Sequence, residues 1–500
     1  MPGGIDIDGA AEQEPSRPPA PDSTGGENGR SELLAATFPA LVVAALGLWR
    51  LTGPALWADE LATWGAVRLS WSQLWQLSGS VDAVLTPYYV LMKLYTDLAG
   101  TSTAALRLPS VVAITAATLV VTALGRRLGG ARLGLLAGSI FAVLPVTSRY
   151  AQEARGYSFV ILGAAVALLY LTRLVDRPGR DDLVGYAAAV GMTGLLHPLN
   201  GLLMLTGHAA AMLWSQLRQP GSSWRVTRRW AMAAAIGVLP TAVLSVRGSG
   251  QTAQVSWINL ITLRSLPMIP ERLFLSATVG GLVLALAVLG VRRTPQRMVV
   301  AAAAFVPMGV LFVAGTQLPV WVARYVLVVL PALAVLAAAA LTRFGRAHAV
   351  AALGLAAVLA YPSHVNVRAE AGHGQASLRI EPVISPRHRP GDVAVFPDTH
   401  YSIPWSPRDV YERYLPAPRP PDVLRTAPQR TDGRFLATEC PDATCLGTPP
   451  RIWVIRADNS PDPLKDMAPA KRDRIAADYR IVQRWQQPLL GITLMTRRGG

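Results

Sequence analysis

Two adjacent carboxylates, Asp59 and Glu60, stand in the run Leu56-Trp57-Ala58-Asp59-Glu60-Leu61-Ala62-Thr63-Trp64. The run follows the first long apolar stretch, Leu33–Trp49, after a short Leu51-Thr52-Gly53-Pro54 breaker. Trp57 and Trp64 flank the pair, and tryptophan prefers the headgroup zone of a bilayer. Charge at that depth is costly unless it is paired or performs chemistry. Asp59 therefore reads as the reactive group of a membrane-embedded enzyme, with Glu60 beside it. The plainer alternative is that Asp59 only caps a short interfacial helix beginning at Glu60.

Further polar residues match that chemistry in type. Arg107 lies in Ala105-Leu106-Arg107-Leu108-Pro109, and Arg149, Glu153, Arg155 and Tyr157 lie in Ser148-Arg149-Tyr150-Ala151-Gln152-Glu153-Ala154-Arg155-Gly156-Tyr157. His197 and Asn200 bound a His-Pro-Leu-Asn turn, and Arg324 precedes Tyr325. Guanidinium groups fork onto phosphate oxygens and stay charged, so Arg107, Arg149, Arg155 and Arg324 suit a phosphate-bearing ligand. A carboxylate facing them can act as a base. Each arginine could instead snorkel or pair at the membrane interface, and a histidine at a helix end is an ordinary structural residue.

These residues share one surface only if the elements between them cross a membrane in a particular register. With 51% hydrophobic and 16% charged residues, the chain departs from soluble composition. Its apolar residues come in blocks long enough to span a bilayer. Residues 33–49 form the first, followed by runs near 108–125, 133–148, 157–172, 183–197, 201–215, 230–246, 273–291, 298–315, 322–342 and 347–361. That predicts about 11 transmembrane helices. The net charge of +16 sits in arginine clusters at the ends of apolar runs, which is a topology signal and argues against nucleic acid.

Arg126, Arg127 and Arg132 occupy one connector, and Arg173, Arg177 and Arg180 the next. Arg218, Arg225, Arg228 and Arg229 fill a third, Arg292, Arg293 and Arg297 a fourth, and Arg343 and Arg346 a fifth. They alternate with less basic connectors, so all five fall on the cytoplasmic side, with the N-terminus. Asp59, Glu60, Arg107, residues 148–157, His197 and Arg324 then gather at the outer face. This register requires Thr86–Leu98, which carries Lys93, to be a re-entrant or interfacial helix inside a long first outer loop, 52–107.

Residues 1–32 are polar and Gly/Pro-rich, predicting a disordered cytoplasmic tail. Residues 33–361 form the transmembrane module. After that, polar Pro-rich sequence predicts strands at 391–397, 451–456, 479–485 and 491–495, with helices near 407–414 and 463–477. Residues 362–500 thus read as a small α/β extracytoplasmic domain. Cys440 and Cys445 are not in C-x-x-C spacing, and an outer location would suit a small disulfide loop.

The chain resembles the class C (GT-C) glycosyltransferases of family 39, the protein O-mannosyltransferase and aminoarabinose transferase kind, in their bacterial branch. The resemblance rests on Asp59-Glu60 after the first span, on Thr86-Pro87-Tyr88-Tyr89, and on Ala105-Leu106-Arg107-Leu108-Pro109-Ser110. It rests also on Ser148–Tyr157, which is similar to the Ser-Gln-Glu-Ala-Arg-x-Tyr motif, and on Arg324-Tyr325. Thr86 departs from the His or Pro usual there. The resemblance implies a multi-pass plasma-membrane enzyme that moves a sugar, mannose by analogy, from a polyprenyl-phosphate donor to an extracytoplasmic acceptor hydroxyl on a glycan, lipid or protein, with inversion. It implies Asp59 as base with Glu60 orienting it, the four arginines at the donor phosphate, and Glu153, Tyr157 and His197 at the substrate. No cofactor is required, although a divalent metal at Asp59 and Glu60 is compatible with the residues. A transporter or flippase of a lipid-linked sugar is the alternative, disfavoured because neither paired halves nor midplane polar breaks are evident.

Overall fold

The computed structural model describes residues 37–176, 179–218, 224–251, 257–399 and 403–499. The predicted tail, 1–32, and the Arg177 expectation lie outside these residues. Helix α1, Thr37–Leu48, is apolar but short. Its end is held by Gln152, whose side-chain amide donates to the Gly47 and Trp49 carbonyls. Arg368 also donates to Leu46 and Trp49 carbonyls there.

The outer loop then forms α2 (Ala58–Val67), α3 (Trp71–Ser80) and α4 (Thr86–Ala99). Ser70 and Gln73 close a reciprocal capping box at the start of α3. Helix α4 is the expected Thr86–Leu98 element, and it packs on α2. It buries Tyr88, Tyr89, Met92 and Lys93 while Leu91, Leu94 and Leu98 stay exposed. That outward apolar row suits an interfacial helix.

Helix α5, Thr103–Val143, is two antiparallel runs. Gly129 and Gly130 leave helical geometry, with Gly130 at φ +79°, where only glycine sits without strain. A Cβ placed on Gly138 would lie 2.1 Å from Thr122 Oγ1, and one on Gly125 would lie 2.8 Å from the Gly134 Cα. Small residues thus let the two backbones touch. This hairpin corresponds to the predicted spans 108–125 and 133–148.

After α6 (Pro145–Ala151) come α7 (Tyr157–Asp176), α8 (Arg180–Leu196), α9 (Pro198–Arg218) and α10 (Trp224–Gly248). Next are α11 (Ile269–Phe274), α12 (Ala277–Gly290), α13 (Pro295–Gly315), α14 (Leu330–Leu341) and α15 (Arg346–Val367). Helix α14 is buried along its whole length and contacts α5, α7, α12 and α13, which makes it the central post of the bundle. By length and composition, six helices among the described residues can cross a membrane, or seven if the bent pair Leu263–Phe274 and Ala277–Gly290 counts as one span. The difference from the predicted eleven has local causes. The α5 hairpin is continuous in hydrogen bonding, α1 and α8 are short, and α9 carries Asn200, His208 and Gln216 among its apolar residues.

The basic connectors meet at one end of this bundle. Arg127 pairs with Asp176 at 2.6 Å, Gln296 donates to the same carboxylate at 2.9 Å, and Arg132 donates to the Phe344 carbonyl. At the opposite end, Arg247 of α10 reaches Ser78 and lies over the Trp75 ring of α3.

Helices α16 (Ile380–Ile384), α17 (Ser406–Tyr414) and α18 (Pro469–Asp478) accompany a four-stranded sheet. Its order is β1 (Val393–Val395), β4 (Arg451–Arg456), β6 (Leu490–Arg497), β5 (Tyr479–Gln487). Only β1 and β4 run parallel; β2 (Arg425–Ala427) and β3 (Thr438–Glu439) form a separate pair. Cys440 and Cys445 are free thiols. This unit docks on α2: the Leu56 N–H donates to Tyr414 Oη, Ser377 donates to the Leu56 carbonyl, and Trp405 Nε1 donates to the Ala58 carbonyl at 2.7 Å. Gly65 of α2 lies flush against the Arg430 guanidinium, itself paired with Asp409.

Candidate active site

Asp59 and Glu60 occupy the first turn of α2. Successive helical residues point about 100° apart, so the two carboxylates face different surroundings. Glu60 is wholly enclosed. Arg107 forks onto it, Nε to Oε1 at 2.7 Å and Nη2 to Oε2 at 2.6 Å, and the Ala154 N–H donates to Oε1 at 3.0 Å. The remaining Arg107 donors serve the Leu51, Pro54 and Ala55 carbonyls. His373 Nδ1 lies 3.2 Å from Glu60 Oε2 and 3.3 Å from Arg107 Nη2. Burial alone would raise the Glu60 carboxyl, but Arg107 and His373 hold it well below the ordinary range. Burial, with the charge of Arg149, lowers His373 to about 3, so it is neutral.

Glu60, expected to orient the reacting group, and Arg107, expected at a donor phosphate, pair with each other and are not among the residues lining the cavity described below. Both are spent on each other, and the buried cluster ties the Leu51–Ala55 turn to α2 and α5. Among the described residues no group of three or more His, Cys, Asp or Glu side chains is arranged to hold a metal.

Asp59 instead opens into a cavity of about 500 Å³. Arg155 and Arg324 line the same cavity with Tyr157, His197 and Tyr325. Arg324 Nη2 stands 3.8 Å from Asp59 Oδ2. Its backbone is fixed by Asn200, whose amide donates to the Arg324 carbonyl at 3.2 Å. Its guanidinium lies within 6 Å of the Trp57, Trp257 and Tyr325 ring centres, a contact that orients the cation without neutralising it. His197 packs between Tyr157 and Tyr325, at ring distances of 5.6 and 4.9 Å.

Arg155 is placed by the buried 152–156 loop, whose backbone groups must find partners. Ser110 donates to the Glu153 carbonyl, and Thr63 of α2 donates to the Ala154 carbonyl. Arg155 Nη1 then reaches Tyr89 Oη at 3.3 Å and the Asp59 carbonyl at 3.4 Å. Arg149 and Glu153, expected at the phosphate and at the substrate, stand one layer back. They pair at 2.7 Å, and Arg149 lies behind the Trp57 ring.

Sequence reasoning missed several wall residues. Asp82 contributes a second carboxylate to the cavity, and Ile403, Trp405 and Leu489 roof it from the C-terminal unit. No local pattern marks them; Asp82 looks like any acidic turn residue, and the roof is far away in the chain. A second, larger hollow has a volume of about 1010 Å³. It is an apolar groove between α4, α8 and α10, running from Arg229 past Ile236 to Leu196 and Pro87. Leu196 directly precedes the cavity residue His197, and Pro87 lies two residues after the cavity residue Leu85.

Residues 84–245, about a third of the chain, match the family described as dolichyl-phosphate-mannose-protein mannosyltransferase. No curated protein matches the chain in sequence. Among solved structures, ArnT from Cupriavidus metallidurans bound to undecaprenyl phosphate aligns with 94% of this chain and 98% of its own, at 16% identity and a TM-score of 0.56. ArnT from the same organism in the apo state aligns over the same shares at 14% identity and a TM-score of 0.54. The likeness at such identities is one of fold, and that fold is the GT-C glycosyltransferase fold.

Proposed function

We propose that this chain, with its GT-C fold, is a membrane glycosyltransferase. In this reading it moves a sugar from a polyprenyl-phosphate carrier to an acceptor hydroxyl on the outer side, with inversion. One observation carries the reading: the Asp59 carboxylate lines the same cavity as the Arg155 and Arg324 guanidiniums. The relatives support the donor class: one family description names a dolichyl-phosphate-linked mannose, and one structural relative holds undecaprenyl phosphate.

In the mechanism, Asp59 takes the proton of the acceptor hydroxyl as that oxygen attacks the anomeric carbon. The new bond forms on the face opposite the departing phosphate oxygen, and the sugar–phosphate bond breaks with its electrons left on the phosphate. Arg155 and Arg324 stabilise that charge, which is fixed positive potential where negative charge grows. Displacement in one step needs a single carboxylate in contact with the reacting atoms, unlike retaining hydrolysis. Trp57, Trp257 and Trp405 wall the cavity and keep water from competing for the sugar.

The carrier chain is assigned to the apolar groove, whose lining residues Leu196 and Pro87 lie within two positions in sequence of the cavity residues His197 and Leu85. The basic connectors at one end of the bundle would lie in the cytoplasm, so the cavity and the C-terminal unit, 362–500, face outward. Mannose is the first sugar to test, on the strength of the family description. The acceptor class is a glycan, lipid or protein bearing a free hydroxyl. The deciding experiment presents purified full-length protein with farnesyl phosphate carrying mannose, glucose or arabinose and analyses the products. Sugar transfer that Asp59→Asn abolishes is expected. Transfer by none of the donors, or wild-type transfer by Asp59→Asn, would overturn the reading.

A further inference from the structure

The cavity roof contains a residue whose backbone conformation does not suit it. Strands β5 and β6 are joined by a two-residue turn, Pro488-Leu489, between the paired residues Gln487 and Leu490. Such hairpins favour turns with φ > 0 at the first turn position, which the proline ring excludes. The positive φ falls on the second position instead, where Leu489 stands at φ 45°. That region suits glycine or asparagine, and a leucine held there is strained. Leu489 is not needed to anchor the hairpin, because the next residue, Leu490, is wholly buried and fills that role. Leu489 instead lines the cavity, together with Ile403 and Trp405.

The surrounding contacts hold this turn in place. The Ala376 N–H donates to the Pro488 carbonyl at 2.9 Å, and the Leu489 N–H donates to Asn459 Oδ1 at 3.1 Å. Next to Ala376, Ser377 donates to the Leu56 carbonyl, and Trp405 Nε1 donates to the Ala58 carbonyl. The roof is thus fastened to the residues that lead into Asp59. The side-chain N–H of Trp405 is engaged there, so Ile403, Trp405 and Leu489 present apolar surface to the cavity. A hydroxyl that reaches Asp59 is bordered by that surface. Strain that the surroundings maintain at a site points to a function there. On the glycosyltransferase reading, we propose that Leu489 is a specificity-determining residue for the acceptor. Its side chain borders the nucleophile's place beside Asp59 and denies that place to water and small alcohols.

The reaction denied is the same displacement with a different nucleophile. A water oxygen bonds to the anomeric carbon, its proton passes to Asp59, and the sugar–phosphate bond breaks with its electrons left on the phosphate. Free sugar and carrier phosphate are the products; methanol in place of water gives the methyl glycoside. The competing role for Leu489 is packing between the hairpin and the helices. Small nucleophiles separate the two. Full-length wild type, Leu489→Gly and Leu489→Met would be given whichever farnesyl-phosphate sugar is transferred, in buffer containing methanol. Free sugar and methyl glycoside would then be measured. Glycine suits the turn and empties that part of the roof, while methionine refills it. Leu489→Asn, which also tolerates the backbone, serves should the glycine variant fold poorly.

Release of both small products should rise at least about 10-fold in Leu489→Gly, a discrimination that apolar contacts in a pocket supply. Leu489→Met should return it to near the wild-type level. Adding Asp59→Asn to Leu489→Gly should abolish the gain, since one base serves every nucleophile. Farnesyl phosphate should inhibit each Leu489 variant within about twofold of wild type, because its phosphate is held by Arg155 and Arg324. Unchanged release in Leu489→Gly, with or without a lower melting temperature, overturns the assignment and leaves the enzyme reading standing. An equal rise in Leu489→Met does the same. Failure of wild type to use any sugar donor overturns the enzyme reading itself, and this inference with it.

Discussion

Asp59 and Glu60 are neighbours in the chain, yet one borders a cavity and the other is sealed in a knot of charge. Around Glu60 every partner is supplied by the protein: Arg107, the Ala154 N–H and His373. Around Asp59 the nearest cation stands off at 3.8 Å, with open volume beside it. The contrast separates two uses of buried charge. A fully matched ion pair fixes geometry and has no capacity left for a ligand, while an incompletely matched one keeps electrostatic potential for a substrate. The same division holds among the arginines, with Arg107 and Arg149 spent on carboxylates and Arg155 and Arg324 facing the cavity.

Four substitutions test this division. The largest effect is expected at Asp59: Asp59→Asn should reduce turnover by about 10²–10⁴-fold with the melting temperature unchanged. A fall in melting temperature as large as that for Glu60 variants would erase the distinction between the two carboxylates. Next, Arg107→Ala should destabilise the protein by about 3–5 kcal/mol, because it strands Glu60 as an unpaired buried charge. Thermal unfolding in detergent reads this, and replacing both partners, Glu60→Gln with Arg107→Met, should recover part of the loss. A single Arg107→Ala variant as stable as wild type would mean that the knot contributes nothing.

A smaller change is expected for Arg324→Ala. It should weaken farnesyl phosphate as a competitive inhibitor by about 10–100-fold, the range for charged hydrogen bonds, and leave the melting temperature near wild type. Unaltered inhibition would remove Arg324 from the phosphate site. The smallest effect belongs to His373. Its folded value of about 3 lies below the free value of about 6.5. The unfolded chain therefore binds the extra proton first as pH falls. Stability from neutral His373 is present above about pH 6.5 and is lost as pH drops toward 3. Glu60, also held below its ordinary range, acts in the same direction at lower pH. His373→Asn should flatten the decline of melting temperature with acid across that window; an unchanged slope would place the acid-labile group elsewhere.

Much of the architecture was legible in the chain. Apolar blocks with basic connectors announced a multi-pass helical bundle, and the gathering of Arg127, Arg132 and Gln296 near Asp176 and Phe344 matches the predicted grouping of those connectors at one end. The glycines at 129 and 130 fell between two predicted spans and form the turn of the hairpin. Short runs of β-branched and apolar residues between polar, proline-rich stretches marked the strands at 451–456 and 491–495. Asp59, Arg155, Tyr157, His197 and Arg324, singled out by residue type and position, all line one cavity.

By itself, then, the sequence determined that the chain is a multi-pass bundle of apolar helices and which residue types are available at one end of it. Those are properties of composition and short-range spacing, because burial and helix formation act on local pattern. Only the tertiary structure decided that Asp59 and not Glu60 meets the cavity, that Arg107 is consumed, and that Asp82 and Trp405 complete the wall. The physical reason is directional. Neighbours on a helix diverge by about 100°, and a salt bridge forms with whichever partner packing brings within a few ångströms, here 47 residues away for Glu60 and Arg107.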